Sequence, residues 1–178
     1  MNFKSILSNR LSAAEIEILR FDLLADRTKV EEVFQLIFQN PEKIAWQAAW
    51  LCEKVSEADV GMFTNEDYEQ LLNFTLVNNK SGLQRLCLSI LLNLPIRKPI
   101  SVEFINNCFE QMVSTKQPVG VQVLSMKILQ KIGIVESVFA SELLACLESL
   151  DFTDFSPGFI AARKNVSKLL KISIKDSH

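Results

Sequence analysis

The sequence predicts an all-α protein, built as a stack of about four helical hairpins behind an N-terminal capping helix. Two observations carry this prediction. Apolar residues recur with helical spacing through most of the 178 residues, and the same pattern returns about every 38 residues. The turn sequences typical of β-hairpins, Asn-Gly and Asp-Gly, do not occur in the chain.

The repeat is clearest in four segments that begin at residues 43, 82, 120 and 158, so that successive starts lie 39, 38 and 38 residues apart. The second, ninth and thirteenth positions of each segment are apolar, and these positions fall on one stripe of a helix. The segments therefore predict helices over 43–55, 82–94, 120–132 and 158–170. The three columns hold Ile44, Leu83, Val121 and Phe159, then Leu51, Ile90, Ile128 and Val166, then Val55, Leu94, Ile132 and Leu170.

Each of these helices follows another run with helical periodicity, and Pro, Asn or Ser residues lie between the two runs as turn and capping residues. The preceding runs cover residues 30–39, 65–77, 101–116 and 137–149. Asn65 and Ser101 are expected to begin the second and third of them, and Gly133 is expected near the C-terminal cap of the third hairpin. One hairpin cannot bury its apolar face alone, so neighbouring hairpins are expected to stack.

The chain is expected to form a single helical-repeat domain over residues 1–178. Residues 1–29 form its N-terminal cap, in which a helix follows Ser12, and Glu15 has the spacing of a capping box. Such a cap covers the first repeat. The repeats fill residues 30–171, and residues 172–178 are expected to be a tail.

The net charge of −2 argues against general affinity of the whole chain for nucleic acid or membranes. The charge is uneven, however. Residues 1–69 carry 7 Lys/Arg and 13 Asp/Glu, a balance of −6, whereas residues 70–178 carry 12 and 8, a balance of +4. This asymmetry is either a gradient over solvated faces or a sign that the two ends meet different partners.

Cysteine usage and hydropathy both favour a cytoplasmic protein. The four cysteines lie among apolar residues of predicted helices without a Cys-x-x-Cys pair, as expected of small buried side chains in a reducing compartment. Residues 1–11 lack the continuous apolar core of a secretory signal, and no apolar run approaches the length that spans a bilayer.

A repeat of about 38 residues made of two helices, with aliphatic columns and the run AAWLCEKV at residues 48–55, resembles HEAT-like and armadillo-like repeats. The resemblance covers roughly residues 30–171. It implies an α-α superhelix, or α-solenoid, whose second helices line a concave face. It also implies a non-enzymatic scaffold or adaptor that binds a protein or peptide on that face, and it leaves open whether the protein is a monomer or a dimer.

The outward stripe of the second helices is the candidate partner site. Trp46 and Trp50 lie one turn apart on this stripe, and an exposed aromatic pair is typical of an interaction site. The alternative is that the pair packs under the N-terminal helix or in a dimer. The predicted partner-binding residues are Trp46, Trp50, Glu53, Arg85, Ser89 and Lys127.

The chain also resembles the HEAT-like DNA glycosylases that remove alkylated purines, because Trp46 and Arg85 occupy matching columns of neighbouring helices. In that family an acid follows one of the tryptophans by a turn, but here Trp50 occupies that position and Glu53 lies nearly a turn further on. Without the carboxylate, a cationic transition state is not stabilised. The alternative function is therefore nucleic-acid binding without activity, with phosphates also meeting the basic residues Arg163, Lys164, Lys168, Lys171 and Lys175.

The residue types needed for catalysis are not combined in this sequence. The only histidine is His178, the final residue, so a Ser or Cys nucleophile lacks an internal histidine base. The glycines are scattered singly, without a phosphate-binding loop, and no His, Cys and carboxylate cluster has the spacing of metal ligands. The sequence therefore predicts no catalytic residue, no metal and no cofactor.

Overall fold

The computed structural model describes residues 2–176, and every regular element among them is helical, which confirms the all-α prediction. Met1, Ser177 and His178 lie outside the described residues, so the end of the predicted tail is not described. Two short 3-10 segments, Leu36–Phe38 and Val60–Met62, accompany the α-helices. The α-helices are α1 Phe3–Ser8, α2 Ala13–Leu24, α3 Arg27–Gln35, α4 Glu42–Ala58, α5 Asn65–Val77, α6 Ser81–Asn93, α7 Val102–Val113, α8 Val119–Val135, α9 Ser137–Ser149 and α10 Pro157–Asp176.

The eight helices from α3 to α10 form the four predicted hairpins. The observed bounds of α5 and α9 equal the predicted runs 65–77 and 137–149. The last helix is longer than predicted: α10 continues to Asp176, into the residues expected to form a tail after residue 171. Its final turns still contact the protein, since Leu170 is buried and Ser173 and Ile174 are half-buried.

Capping residues fix several of these bounds. At α2 the predicted capping box is present: the Glu15 N–H donates to Ser12 Oγ at 3.3 Å, and the Ser12 N–H donates to Glu15 Oε2 at 2.8 Å. Ser101 caps α7 as expected. The cap of α5 is Thr64 rather than Asn65, because the Thr64 side chain accepts the Asp67 N–H at 3.0 Å.

The expectation that Gly133 lies at a C-terminal cap is wrong. Helix α8 continues to Val135, and Gly133 lies inside it, where it packs against Ala140 of α9. A Cβ at position 133 would lie 2.9 Å from Ala140 Cα. The glycine therefore permits close approach of two helices rather than ending one of them.

The helices form two compact units that divide between Pro95 and Ile96. In the first unit α4 is central and contacts α1, α2, α3 and α6. Helices α4 and α6 run in the same direction. At their N-terminal ends Lys80 Nζ lies 3.7 Å from Glu42 Oε2, and near their C-terminal ends Asn93 Nδ2 donates to Ser56 Oγ at 2.9 Å. Second helices that lie side by side in the same direction are what stacked hairpins require.

In the second unit α8 has the central position and contacts α7, α9 and α10. The apolar face of α10 covers it through Phe159, Val166 and Leu170, all of which are buried. Unit two therefore repeats the arrangement of unit one, with the second helix of a hairpin at the centre of each core.

A buried glutamine closes the second and third hairpins. Gln84 Nε2 donates to the Thr75 carbonyl at 3.0 Å, and Gln122 Nε2 donates to the Ser114 carbonyl at 2.9 Å. The two glutamines are 38 residues apart, so they occupy one repeat column. Each satisfies a carbonyl near the end of the preceding helix, where intrahelical partners run out. In the first hairpin this column holds Ala45.

Three cysteines have the predicted buried position. Cys52, Cys87 and Cys108 are free and buried, and Cys146 is free and half-buried. Burial raises the pKa of Cys87 to about 12 and also raises the pKa of the other three thiols. None of the helices in residues 2–176 has an apolar stretch of the length that crossing a membrane needs.

Candidate partner-binding groove

Trp46 and Trp50 lie together on one side of α4. Their ring centroids are 5.4 Å apart and their planes are tilted by 51°. Both side chains are half-buried, so the arrangement lies between the two alternatives that the sequence left open. The indoles are neither fully exposed nor packed into the core.

A groove of about 390 Å³ runs beside the two indoles. One wall comes from the connection between α1 and α2, and the other comes from the first turns of α4. Its lining residues are Arg10, Leu11, Lys43, Trp46, Gln47 and Trp50.

The side chain of Gln47 holds the first wall in place. Its Oε1 accepts the Leu11 N–H at 2.8 Å, and its Nε2 donates to the Leu7 carbonyl at 2.6 Å and to the Asn9 carbonyl. Gln47 is buried, and so is its bond to the Leu7 carbonyl, while its bonds to Leu11 and Asn9 are part-buried. These three hydrogen bonds, called the Gln47 latch below, fix Arg10 and Leu11 next to the indoles.

The groove is electropositive at short range. Arg10 and Lys43 are exposed, and neither has an ion-pair partner within residues 2–176. No carboxylate lines the groove. Two uncompensated cations beside two aromatic rings are suited to a ligand that presents negative charge together with an apolar group.

Glu53 is buried, so the prediction that it faces outward is wrong, whereas its contact with a partner stays a prediction. Its side chain is on the same stripe of α4 as the indoles, but the residue is only 8% exposed. Helices α1, α2, α3 and α6 all contact α4, so most of its circumference is covered. A stripe that faces outward in an isolated hairpin is partly covered once its neighbours are present.

Arg85 and Ser89 lie on the side of α6 that borders α4. They share a helical stripe with Gly82 and Asn93. Both ends of that stripe contact α4: a Cβ at Gly82 would lie 3.4 Å from Trp46 Nε1, and Asn93 donates to Ser56. Arg85 is exposed and Ser89 is half-buried. Of these two residues, Arg85 therefore presents a charged side chain to solvent beside the contact between α4 and α6.

Lys127 belongs to the second unit, where it is exposed on α8. The basic residues of α10 are in the same unit, and two of them are already engaged. Arg163 Nε donates to the Leu147 carbonyl at 3.0 Å with its guanidinium 3.8 Å above the Phe152 ring, and Lys171 pairs with Glu148 at 2.8 Å. Arg163 therefore holds α9 to α10 rather than presenting a free charge.

Sequence reasoning missed Arg10 and Lys43. Lys43 lies three residues before Trp46 on the same helix face, so helical spacing alone was enough to include it. Arg10 has no such local signal, because only the Gln47 latch, which spans 36 residues from Leu11, brings it to the groove.

Within residues 2–176 there is no group of three or more His, Cys, Asp or Glu side chains positioned to hold a metal ion. Cys87 and its two buried counterparts are protonated at neutral pH because burial raises their pKa, and a protonated thiol is a poor nucleophile.

Comparison with known families agrees with the repeat architecture. A family model described as a HEAT repeat domain matches residues 3–170, which extends the resemblance from the four hairpins to α1 and α2. No curated protein and no solved structure matches the chain significantly. Because the family model covers nearly the whole sequence, the chain belongs to the HEAT repeat family.

Proposed function

We propose that this HEAT-repeat protein is a non-enzymatic adaptor, and that the groove beside Trp46 and Trp50 binds an acidic segment of a partner protein. The observation that carries this proposal is the pair of half-buried indoles between Arg10 and Lys43, two cations without counter-charges. The partner segment supplies carboxylates for the cations and an apolar side chain for the indoles.

The residue types of the groove support this assignment. Tryptophan and arginine are enriched among the residues that dominate binding energy at protein interfaces. Arginine binds a carboxylate through two parallel hydrogen bonds, which fixes the direction of the segment as well as its charge. Arg85 and Ser89 continue this surface along α6. Lys127 is proposed separately, as a partner-contacting cation of the second unit.

Nucleic acid is the second candidate occupant, since phosphates also suit cations and bases stack on indoles. The charge around the groove favours the protein segment. Residues 1–95 carry 9 Lys/Arg and 13 Asp/Glu, a balance of −4. A long phosphate backbone is repelled beyond the two cations, whereas a short acidic segment fits between them.

Intrinsic fluorescence tests the proposal directly, because the only two tryptophans of the chain are Trp46 and Trp50. The probe is a tryptophan-free peptide rich in Glu with Leu and Phe anchors, compared with the same peptide carrying Lys for each Glu. We expect a saturable spectral change with the acidic peptide that weakens as salt is added. A short duplex DNA serves as the nucleic-acid probe.

Charge reversal identifies the site. Arg10→Glu with Lys43→Glu should abolish the response, while the control Arg27→Glu with Lys116→Glu changes the net charge equally at exposed residues that do not line the groove. An equal response to both peptides, or an unchanged response in Arg10→Glu/Lys43→Glu, would contradict the proposal. A stronger response to DNA than to the acidic peptide would favour the nucleic-acid function.

A further inference from the structure

The outward face of α2 is apolar. Ile18 is 69% exposed and Phe21 is 66% exposed, and the exposed Ala14 and Ala25 continue the same stripe at spacings of four, three and four residues. The opposite side of α2 carries the buried Ile16 and Leu23, and the helix contacts α3 and α4. The first helices of a repeat stack normally have a polar outer face, so this stripe has the character of a surface that is covered.

Acidic side chains flank the stripe. Glu17 lies on one side of it, and Glu15 and Asp22 lie on the other. Helix α2 carries these three acids and one base, Arg20, which gives it a net charge of −2. Glu17 pairs with Arg20 at 2.9 Å and Asp22 pairs with Lys29 at 2.7 Å, but all four side chains are partly solvent-exposed, so these pairs exchange easily for a better cation.

The outward face of α10 has the complementary character. Leu169 is 53% exposed and Ile172 is 49% exposed, and Ala161 lies on the same side. Beside this apolar strip runs a lysine stripe, again at spacings of four, three and four residues. It consists of Lys164, Lys168, Lys171 and Lys175. Lys164 and Lys168 are exposed and have no ion-pair partner within residues 2–176.

We propose that α2 of one molecule docks on α10 of a second copy of this chain. Ile18 and Phe21 cover Leu169 and Ile172, and the lysine stripe meets the acidic flanks of α2. The charges select this pairing: α2 against α2 brings acids together and α10 against α10 brings lysines together, whereas α2 against α10 joins opposite signs. Two different surfaces of the chain then meet in each contact.

Sedimentation velocity over a series of protein concentrations, at low and high salt, tests the proposal. The wild-type chain should form dimers or larger species as its concentration rises, and added salt should shift them toward the monomer. Phe21→Asp blocks the α2 surface and Ile172→Asp blocks the α10 surface. Each variant alone should remain a monomer, but an equimolar mixture should form a dimer that does not grow, because each partner supplies the surface that the other lacks.

The controls separate this contact from folding and from the groove. Val102→Asp changes another exposed apolar residue and should associate like the wild type, as should Arg10→Glu/Lys43→Glu. Circular dichroism and thermal melting verify that each variant is folded. A wild-type monomer at every concentration would overturn the proposal, as would a mixture of the two blocked variants that stays monomeric. Retention of a different polypeptide through Phe21 would overturn the choice of a second copy as the occupant.

Discussion

The Leu11 N–H donates to the side-chain Oε1 of Gln47 at 2.8 Å, and this bond joins the N-terminal segment to the helix that carries both tryptophans. The same glutamine also satisfies two carbonyls, those of Leu7 and Asn9. The buried side chain of Gln47 therefore holds Arg10 beside the indoles in the proposed partner-binding groove.

Gln47→Leu should lower the free energy of unfolding by about 1–3 kcal/mol, because it leaves the buried Leu7 carbonyl and two part-buried backbone groups without this partner. It should also speed hydrogen exchange at the Leu11 amide. Urea denaturation and amide exchange measure the two effects. The control is Gln35→Leu: Gln35 bonds to Gln70 on the exposed surface, where water replaces the lost bond. Equal losses in both variants would show that the latch is not special.

Gly133→Ala should destabilise the second unit. The added methyl group would lie 2.9–3.0 Å from atoms of Ala140, two of them backbone atoms, so α8 and α9 have to move apart. We expect a loss of about 1–3 kcal/mol, measured by urea denaturation. The control Gly82→Ala places its methyl group 3.4 Å from Trp46 Nε1, which is ordinary contact, and should be neutral or slightly stabilising. A neutral Gly133→Ala would mean that the two helices adjust without strain.

Thiol labelling at pH 8 should show one fast cysteine. Burial raises the pKa of all four thiols, to about 12 for Cys87, so the reactive thiolate is scarce at this pH. Cys146 is half-buried and is the one that the reagent reaches. Cys146→Ser should remove the fast phase, while unfolding in urea should expose the remaining thiols. Two or more fast phases in the native protein would contradict this order.

Ionic quenchers should report the sign of charge at the groove. Iodide should quench the tryptophan fluorescence more than caesium does, relative to a free tryptophan amide at the same ionic strength, because Arg10 and Lys43 attract the anion. The preference should reverse in Arg10→Glu/Lys43→Glu and persist in Arg27→Glu/Lys116→Glu. Equal quenching by both ions would show that the two cations do not govern the field at the indoles.

The helices were predictable because local signals define them. The capping box at Ser12 and the apolar columns place the first residues of α2 and of the second helices of the hairpins within one residue, and α5 and α9 match in full. The first helix of the first hairpin is divided into α3 and a 3-10 segment, Leu36–Phe38, and no comparable signal predicts this division. Where the next helix begins depends on packing as well as on local propensity.

The site was predictable only in part. Two tryptophans one turn apart marked the surface, and the structure brings them together. Glu53 followed the same stripe but is buried, because the neighbours of α4 cover it. Arg10 required a tertiary contact that no periodicity encodes. The spacing of residues along a helix thus predicts which residues share a face, while long-range packing decides which of them reach solvent.

The most direct test of the central claim is a pull-down from native lysate, with nuclease treatment of half of each sample. Wild type, Arg10→Glu/Lys43→Glu and Arg27→Glu/Lys116→Glu are compared. The account predicts a stoichiometric protein partner that survives nuclease, is lost with Arg10→Glu/Lys43→Glu and is retained with the control pair. A partner retained by all three chains, or recovery that depends on intact nucleic acid, would contradict it.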